Sequence, residues 1–102
     1  MFCLAYITCG NREEAERISD ALVKEKLAAC VNFFPINSVF EWGGEIKQEK
    51  EFALLCKTME DKIPHLKKKV KEIHSYEIPA ILVMEIKEGN EEFLGWVEKS
   101  LE

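Results

Sequence analysis

The chain has 102 residues, of which 47 % are hydrophobic and 32 % are charged, and its formal net charge is −5. This length predicts a single domain over residues 1–102, because two separate cores would each be too small to be stable. A domain of this size buries enough apolar surface to fold without a metal or a disulfide. The negative charge argues against a nucleic-acid partner, since a phosphate backbone requires a basic surface stripe.

Glutamate and lysine dominate the charged residues, with 17 Glu against 2 Asp and 12 Lys against 2 Arg. This composition is typical of proteins from hot environments and predicts a thermophilic source. No stretch approaches the roughly 20 apolar residues of a membrane span. The N-terminus also lacks the basic region and the cleavage site of a signal peptide, so we expect a cytoplasmic protein.

The four cysteines, at positions 3, 9, 30 and 56, show no CxxC spacing. The sequence therefore gives no basis for a zinc ribbon or an iron–sulfur cluster. Three of the four lie in apolar, strand-like runs, where a free thiol packs as a small hydrophobic group. Buried thiols are expected, although intracellular disulfides do occur in hyperthermophiles.

The first third of the chain predicts a strand and a helix. The run Phe2–Thr8 is continuously apolar, which indicates a strand buried on both faces. Asn11 follows Gly10 and is a typical helix N-cap, with acidic residues in the turn after it. Apolar residues at helical spacing extend this helix to about Lys26.

A long hairpin is predicted next. A strand is expected from Leu27 to Trp42, where Pro35 marks a bulge or a sheet edge because it cannot donate to a ladder. Gly43 and Gly44 form a two-residue turn, and the return strand runs from Glu45 to about Lys57. Both arms are about twice the usual strand length of ~5–6 residues.

The last part of the chain predicts a helix, a strand and a short helix. Asp61 is the expected N-cap of the second helix, which places Pro64 at its third residue. The apolar stripe of this helix is Ile63, Leu66, Val70 and Ile73. A strand follows over Ala80–Ile86, and Asn90 caps a final helix. The inner face of that helix is Phe93, Leu94, Val97 and Leu101.

The element order βαββαβα predicts an α+β, ferredoxin-like fold. Two right-handed βαβ units joined by the hairpin give a four-stranded antiparallel sheet with two helices on one face. The C-terminal helix is an addition to that plan. The other face of the sheet has no helical cover, although its strands are apolar, so self-association is expected.

Catalysis has little support in the sequence, and we expect the protein not to be an enzyme. Only His65 and His74 could serve as a histidine base, and His65 lies off the apolar stripe of its helix. No GxSxG elbow or phosphate-binding glycine loop occurs. Arg12 and Arg17 are expected on the exposed side of the first helix, so an arginine-bearing phosphate cradle is absent.

The residues with the most chemistry fall around the hairpin and the segment before Pro79. They are Trp42, Glu49, Glu51, Lys57, His74, Tyr76 and Glu77. Tryptophan and tyrosine recur at interfaces because they join an apolar body to a polar group. An imidazole near carboxylates or a thiolate can bind a transition metal. The alternative for His74 is a structural role, because a histidine at a helix C-terminus interacts favourably with the helix dipole.

These residues belong to a set of segments that spans nearly the whole chain in order and resembles the CutA family of divalent-cation tolerance proteins. The matching segments are LAACVN over 27–32, WGGEI over 42–46, LLCKT over 54–58, HSYEIP over 74–79 and FLGW over 93–96. Glu51, nine residues past Trp42, belongs to the same pattern. The family motif often reads His-Pro-Tyr, and this chain has Ser75 in place of the proline.

The resemblance implies a tight homotrimer, similar in architecture to the PII-type signalling proteins, in which the sheets pack around a threefold axis. The hairpin would then reach over a neighbouring subunit. The resemblance also implies that a metal or a small ligand binds in clefts between subunits. Trp42, Lys57 and Tyr76 are the residues expected to line such a cleft.

A role for copper or another divalent metal follows from the resemblance as well. Carried over to this chain, the metal ligands would be His74 and Cys9, and the neighbouring carboxylate of Glu77 is a third expected ligand. A competing hypothesis is a trimeric scaffold for signal transduction or protein interaction, in which the effects of metals are only indirect.

Overall fold

The computed structural model describes all 102 residues, from Met1 to Glu102. Its strands and helices follow the predicted βαββαβα order. The elements are β1 (Phe2–Cys9), α1 (Arg12–Lys24), β2 (Cys30–Trp42), β3 (Glu45–Met59), α2 (Ile63–Ile73), β4 (Ile81–Glu85) and α3 (Glu91–Ser100), with a 3₁₀ turn at Glu60–Lys62 before α2.

The four strands form one antiparallel sheet in the order β2-β3-β1-β4. Helices α1 and α2 cover one face of this sheet, which confirms the ferredoxin-like prediction. The core between sheet and helices is formed by Cys3, Ala5, Ile7 and Cys9 of β1, Leu54 and Cys56 of β3, Ala15, Ile18 and Leu22 of α1, and Ile63, Leu66 and Val70 of α2.

Strand β1 is buried on one face only, contrary to the expectation of burial on both. Every second residue, from Cys3 to Cys9, is buried beneath the helices, and the residues between them are half-buried. We call the side of the sheet away from α1 and α2 the open face. Its apolar residues include Leu4, Tyr6, Phe34, Leu55, Leu82 and Met84.

The hairpin is longer than the body of the sheet. Its strands have 13 and 15 residues, and both turn glycines have positive φ, 61° for Gly43 and 82° for Gly44. This conformation is that of a type I′ turn, which matches the twist of the strands. Because β1 ends where Cys9 pairs with Phe52, the part of β3 before Phe52 has only β2 as a neighbour. The molecule is therefore elongated, with extents of 46 × 26 × 21 Å.

Pro35 lies in an edge strand and not at a bulge, since the β2–β3 register continues through it. The hydrogen bonds of an antiparallel strand point alternately to its two sides. Cys30 at the start of β2 faces β3, because the carbonyl of its partner Lys57 accepts a hydrogen bond from Ala29, 2.8 Å away. Odd-numbered positions of β2 therefore face away from β3. The nitrogen of Pro35 points to solvent, and no ladder bond is lost.

Helix α3 lies apart from α1 and α2 in a small cluster of its own. Val97 and Leu101 pack with Ala29, and Phe2 and Met59 complete this cluster. The two aromatic residues of α3, Phe93 and Trp96, stack on each other with ring centroids 5.6 Å apart and are exposed.

Several element boundaries differ from the sequence prediction. The segment 27–29 is a buried connection and not a strand, because the chain turns at Lys26, whose φ is +58°. Helix α2 begins at Ile63 after the 3₁₀ turn, so Asp61 is not its N-cap and Pro64 is its second residue. Pro64 is tolerated there for the predicted reason, since the first N–H groups of a helix have no partner within it.

The N-cap of α1 gives a test of local stabilisation. The Oδ1 atom of Asn11 accepts a hydrogen bond of 2.8 Å from the N–H of Glu14, whereas the side chain of Asn90, which precedes α3, makes no such bond. We expect Asn11→Ala to lower the free energy of unfolding by about 1 kcal/mol. The matched variant Asn90→Ala should cost clearly less in the same denaturant titration. Equal losses for the two variants would contradict this account of the cap.

Candidate functional site

The segment 74–79 crosses the point where β1 ends, α1 begins and α2 ends. His74 is the residue after the last turn of α2, and its N–H donates to the carbonyl of Val70 at 2.9 Å. Gly10 and Asn11 separate β1 from α1 at the same place. Three elements that are far apart in sequence thus supply side chains to one small region.

Both ring nitrogens of His74 are hydrogen-bonded to the backbone. Nδ1 accepts from the N–H of Tyr76 at 3.0 Å, and Nε2 lies 2.7 Å from the carbonyl oxygen of Thr8. The amide can only donate and the carbonyl can only accept, so the neutral ring carries its proton on Nε2. The side chain is 0 % exposed. His74 therefore ties the start of the segment to the end of β1.

Glu14 is a buried carboxylate, only 4 % exposed, and it binds Ser75, the residue that follows His74. Its oxygens accept hydrogen bonds from the N–H of Ser75 at 2.7 Å, the hydroxyl of Ser75 at 2.9 Å and the N–H of Gly10 at 3.2 Å. Arg17 donates to it at 3.5 Å. Burial alone would raise the pKa of Glu14, but the hydrogen bonds from Ser75 and Gly10 outweigh burial and lower it.

Tyr76 extends from this anchor to the hairpin. Its hydroxyl donates a 2.7 Å hydrogen bond to Oε2 of Glu51 on β3. Burial and this bond to Glu51 raise the pKa of Tyr76, so the hydroxyl stays protonated at neutral pH. The ring also lies against Gly10, where an added Cβ would be only 3.6 Å from the tyrosine oxygen. Tyr76 thereby connects Glu51 of β3 with Gly10, the residue that follows β1.

A cleft of about 770 Å³ lies between the outer hairpin and this segment. A cavity of this size is in the range of small-molecule sites. Its lining residues are Gly10, Phe40, Trp42, Lys47, Glu49, Lys50, Glu51, Tyr76, Glu77 and Ile78. Trp42 is 67 % exposed at the mouth of the cleft, so within one subunit the indole has little cover.

The structure brings together only some of the residues predicted for ligand binding. Trp42, Tyr76 and Glu77 line the cleft, but Lys57 does not. Lys57 lies farther along β3 and opposite Cys30 in the register. Its Nζ atom is 3.8 Å from the sulfur of Cys30. Lys57 therefore belongs to the open face of the sheet.

The residues predicted as metal ligands do not form a metal site within one subunit. Cys9 is fully buried, its thiol faces the carbonyl of Asn11 at 3.7 Å, and burial together with the charge of Glu14 raises its pKa to about 11. A thiol binds a metal as the thiolate, which this environment disfavours. No group of three or more His, Cys, Asp or Glu side chains is placed to hold a metal ion. The assignment of His74, Cys9 and Glu77 stays a prediction.

Sequence reasoning missed Glu14 and Arg17. Both arginines are exposed, as expected, and Nη1 of Arg17 also donates a 2.6 Å hydrogen bond to the carbonyl of Ile73 at the end of α2. From the sequence, Glu14 is one of the acidic residues in the first turn of the helix. Its position next to the apolar residues Ala15 and Ile18 places Glu14 on the inner side of an amphipathic helix, and this was the available signal for a buried carboxylate.

Comparison with known proteins decides the family. The model of the family described as CutA1 divalent ion tolerance protein matches residues 3–100. The chain belongs to the CutA1 family. It is 46 % identical to the divalent-cation tolerance protein CutA of Archaeoglobus fulgidus over 95 % of each chain, and 43 % identical to that of Thermus thermophilus over 92 % of each.

A solved structure supports both the family and the fold. The structure of the periplasmic divalent cation tolerance protein CutA from Archaeoglobus fulgidus superimposes with a TM-score of 0.98, at 45 % identity over 100 % of each chain. The predicted resemblance and the predicted ferredoxin-like fold are therefore confirmed. The name of that relative gives a periplasmic location, so the expected cytoplasmic location of this chain is not established by its family.

The Glu14 anchor predicts how stability depends on pH. Because the folded state lowers its pKa, the carboxylate stabilises the fold above the unfolded value of about 4.5, and this contribution is lost as pH falls through the folded value. In Glu14→Gln, the amide group would face donors from Ser75 and Gly10, so we expect a lower melting temperature at pH 7. The difference from the parent protein should shrink near pH 3.

The conservative change Glu13→Gln is a suitable control, because Glu13 is exposed on the same turn of α1. We expect its melting temperature to match that of the parent protein at both pH values. A difference between Glu14→Gln and the parent that stays constant from pH 7 to pH 3 would show that the charge of Glu14 does not stabilise the fold.

Proposed function

We propose that the protein is a homotrimer that contributes to divalent-cation tolerance and binds a metal or a small ligand in clefts between its subunits. The open face of the sheet is the observation that supports this most strongly. Leu82 is 59 % exposed and Met84 is 45 % exposed there, beside Tyr6 and Leu4 of the neighbouring strand. Contiguous apolar surface of this kind on a folded chain is typical of an interface.

The free edge of the hairpin supports the same proposal. Just beyond β3, the N–H of Glu60 donates to the carbonyl of Met1 at 2.8 Å, so even-numbered positions of β3 face β1. At Ile46, Gln48 and Lys50 the strand β1 is no longer present. Their amide groups form an unpaired edge, which a segment of a second copy can cover. A second copy would also cover the exposed side chain of Trp42 at the tip.

The cleft beside Trp42 and Tyr76 is the ligand site that we propose. One of its walls is the outer hairpin, which stands away from the body of its own subunit. A neighbouring subunit would complete the enclosure, and Lys57 would reach a ligand only across such an interface. Copper or another divalent metal would likewise need donors from a neighbour, since one subunit offers no group of three.

A second candidate is a trimeric scaffold whose effects on metal tolerance are indirect. The observation that favours it is the use of both His74 nitrogens within the subunit. In both candidates the protein is not an enzyme, because the only adjacent buried acid and histidine are Glu14 and His74, and their polar atoms already make structural hydrogen bonds.

We also propose a cytoplasmic location and a thermophilic source, as expected from the sequence. No helix is long and apolar enough to cross a membrane.

The assembly is tested by placing a charge on the open face. Leu82→Lys would bury an unpaired ammonium group in the interface, which costs several kcal/mol. We therefore expect a subunit dissociation constant at least about tenfold higher than that of the parent trimer. Sedimentation velocity across a dilution series measures this directly.

Val23→Lys is the matched control, because Val23 is 43 % exposed on α1, away from the open face. It should sediment as the parent protein does. A parent chain that sediments as a monomer at micromolar concentration would refute the proposed trimer, and identical sedimentation of Leu82→Lys and the parent would refute the role of the open face.

A further inference from the structure

We infer that His74 is a positioning residue, which fixes the segment 74–79 on the end of β1 with both ring nitrogens, and that it is not a ligand of a divalent metal in this protein. Both hydrogen bonds of the His74 ring lie within one subunit, so this role does not depend on the trimer. The resemblance implies a metal ligand at this position, and these contacts argue against one.

The lone pair of Nδ1 is the only one that the neutral ring of His74 could offer to a metal. The proton on Nε2 is committed to the carbonyl of Thr8 at 2.7 Å. A metal-bound histidine often donates its second nitrogen to a backbone carbonyl in this way, so the Thr8 bond alone would fit a metal site. The decisive contact is therefore the one on Nδ1.

The Nδ1 atom of His74 is already an acceptor and is shielded from solvent. It accepts from the N–H of Tyr76 at 3.0 Å, and the side chain has no exposed surface. A metal at Nδ1 would have to displace that amide, so the N–H of Tyr76 would lose its acceptor within the chain. The nearest carboxylate, Glu14, lies 3.7 Å from Nδ1, but Ser75 and Gly10 occupy its oxygens.

The two hydrogen bonds of the His74 ring stabilise the segment 74–79, and a metal at Nδ1 would break one of them. The Nδ1 bond closes a turn that runs from His74 through Ser75 to the N–H of Tyr76, whose hydroxyl reaches Glu51. The imidazole also packs on the tyrosine ring, with 4.8 Å between the centroids. The Nε2 bond satisfies the carbonyl of Thr8, which lies one residue beyond the β1–β4 ladder. His74 thus joins the sheet to the wall of the cleft.

Ser75 adds a second anchor next to His74. Its N–H and its hydroxyl both donate to Glu14, at 2.7 and 2.9 Å. A proline, which the family motif often has at this position, could supply neither donor. In this chain, His74 and Ser75 therefore form two adjacent anchors, one on β1 and one on α1.

Two substitutions separate the two bonds of His74. In His74→Asn, the side-chain oxygen can replace Nδ1 as the acceptor for Tyr76, but the side chain is too short for Thr8. In His74→Gln, the longer side chain can donate to Thr8, while the turn bond to Tyr76 is lost. We expect both variants to melt below the parent protein and to change the near-UV circular dichroism spectrum, to which Tyr76 contributes; a loss of metal alone would not do this.

Cu²⁺ is the probe for the ligand question, titrated into the full chain by isothermal calorimetry. We expect His74→Asn and His74→Gln to bind Cu²⁺ with the stoichiometry of the parent and within about threefold of its affinity, including the case in which none of them binds. The control His65→Gln removes the exposed imidazole of α2 and should leave the melting temperature and the near-UV spectrum unchanged.

The ring itself gives an independent readout by ¹⁵N NMR of the parent protein. The inference predicts the Nε2-protonated tautomer for His74, with ring signals that persist when Cu²⁺ is added at one equivalent per chain. Loss of those signals, or a folded His74 variant that loses a Cu²⁺ site or binds it at least tenfold more weakly, would overturn the inference. Failure of the trimer would appear separately, as a change in mass.

Discussion

The constraint on which the structure depends is that four strands expose two faces and the chain covers only one of them with α1 and α2. The covered face contains the residues of the main core, and the covering helices bring their own apolar stripes to it. The open face carries leucine, methionine and tyrosine side chains that no helix of the subunit covers, apart from the small contact of α3 near Phe2 and Met59. In the proposed trimer, other copies of the chain supply the cover that the open face lacks.

The hairpin also has surface that the subunit does not cover, because it extends beyond the body of the sheet. Since β1 stops at Cys9, the outer half of β3 has a neighbour on one side only, and the aromatic residues at the tip have little to pack on. The segment 74–79 meets the hairpin at this point through Tyr76 and Glu51. Glu14 of α1 and His74 fix that segment through hydrogen bonds to Ser75 and to Thr8. The geometry of the cleft therefore depends on two residues that do not line it.

The sequence predicted the elements well wherever a local signal existed. Asn11 does cap α1, the glycine pair does form the turn, and the apolar stripe of α2 does enter the core. Boundaries failed where a neighbouring element decides them. Residues 27–29 are apolar like a strand, but they are buried by a turn at Lys26 that has no characteristic turn sequence.

The site was predicted less completely, because its main contacts join distant parts of the chain. Glu14 meets Ser75 across 61 residues, and His74 meets Thr8 across 66. Composition and hydrophobic periodicity describe neighbouring residues, so they cannot predict hydrogen bonds between such distant positions. The sequence identified Tyr76, Glu77 and Trp42 as a cluster, and these do line one cleft, but it could not separate Lys57 from them without the register of β3.

The mass of the parent protein in solution tests the central claim most directly. Light scattering at micromolar concentration should give three times the chain mass of 11.8 kDa, because the proposed trimer covers both the open face and the free edge of β3. A stable mass of one chain, with the fold intact by circular dichroism, would contradict the account, since the apolar open face would then be exposed to water.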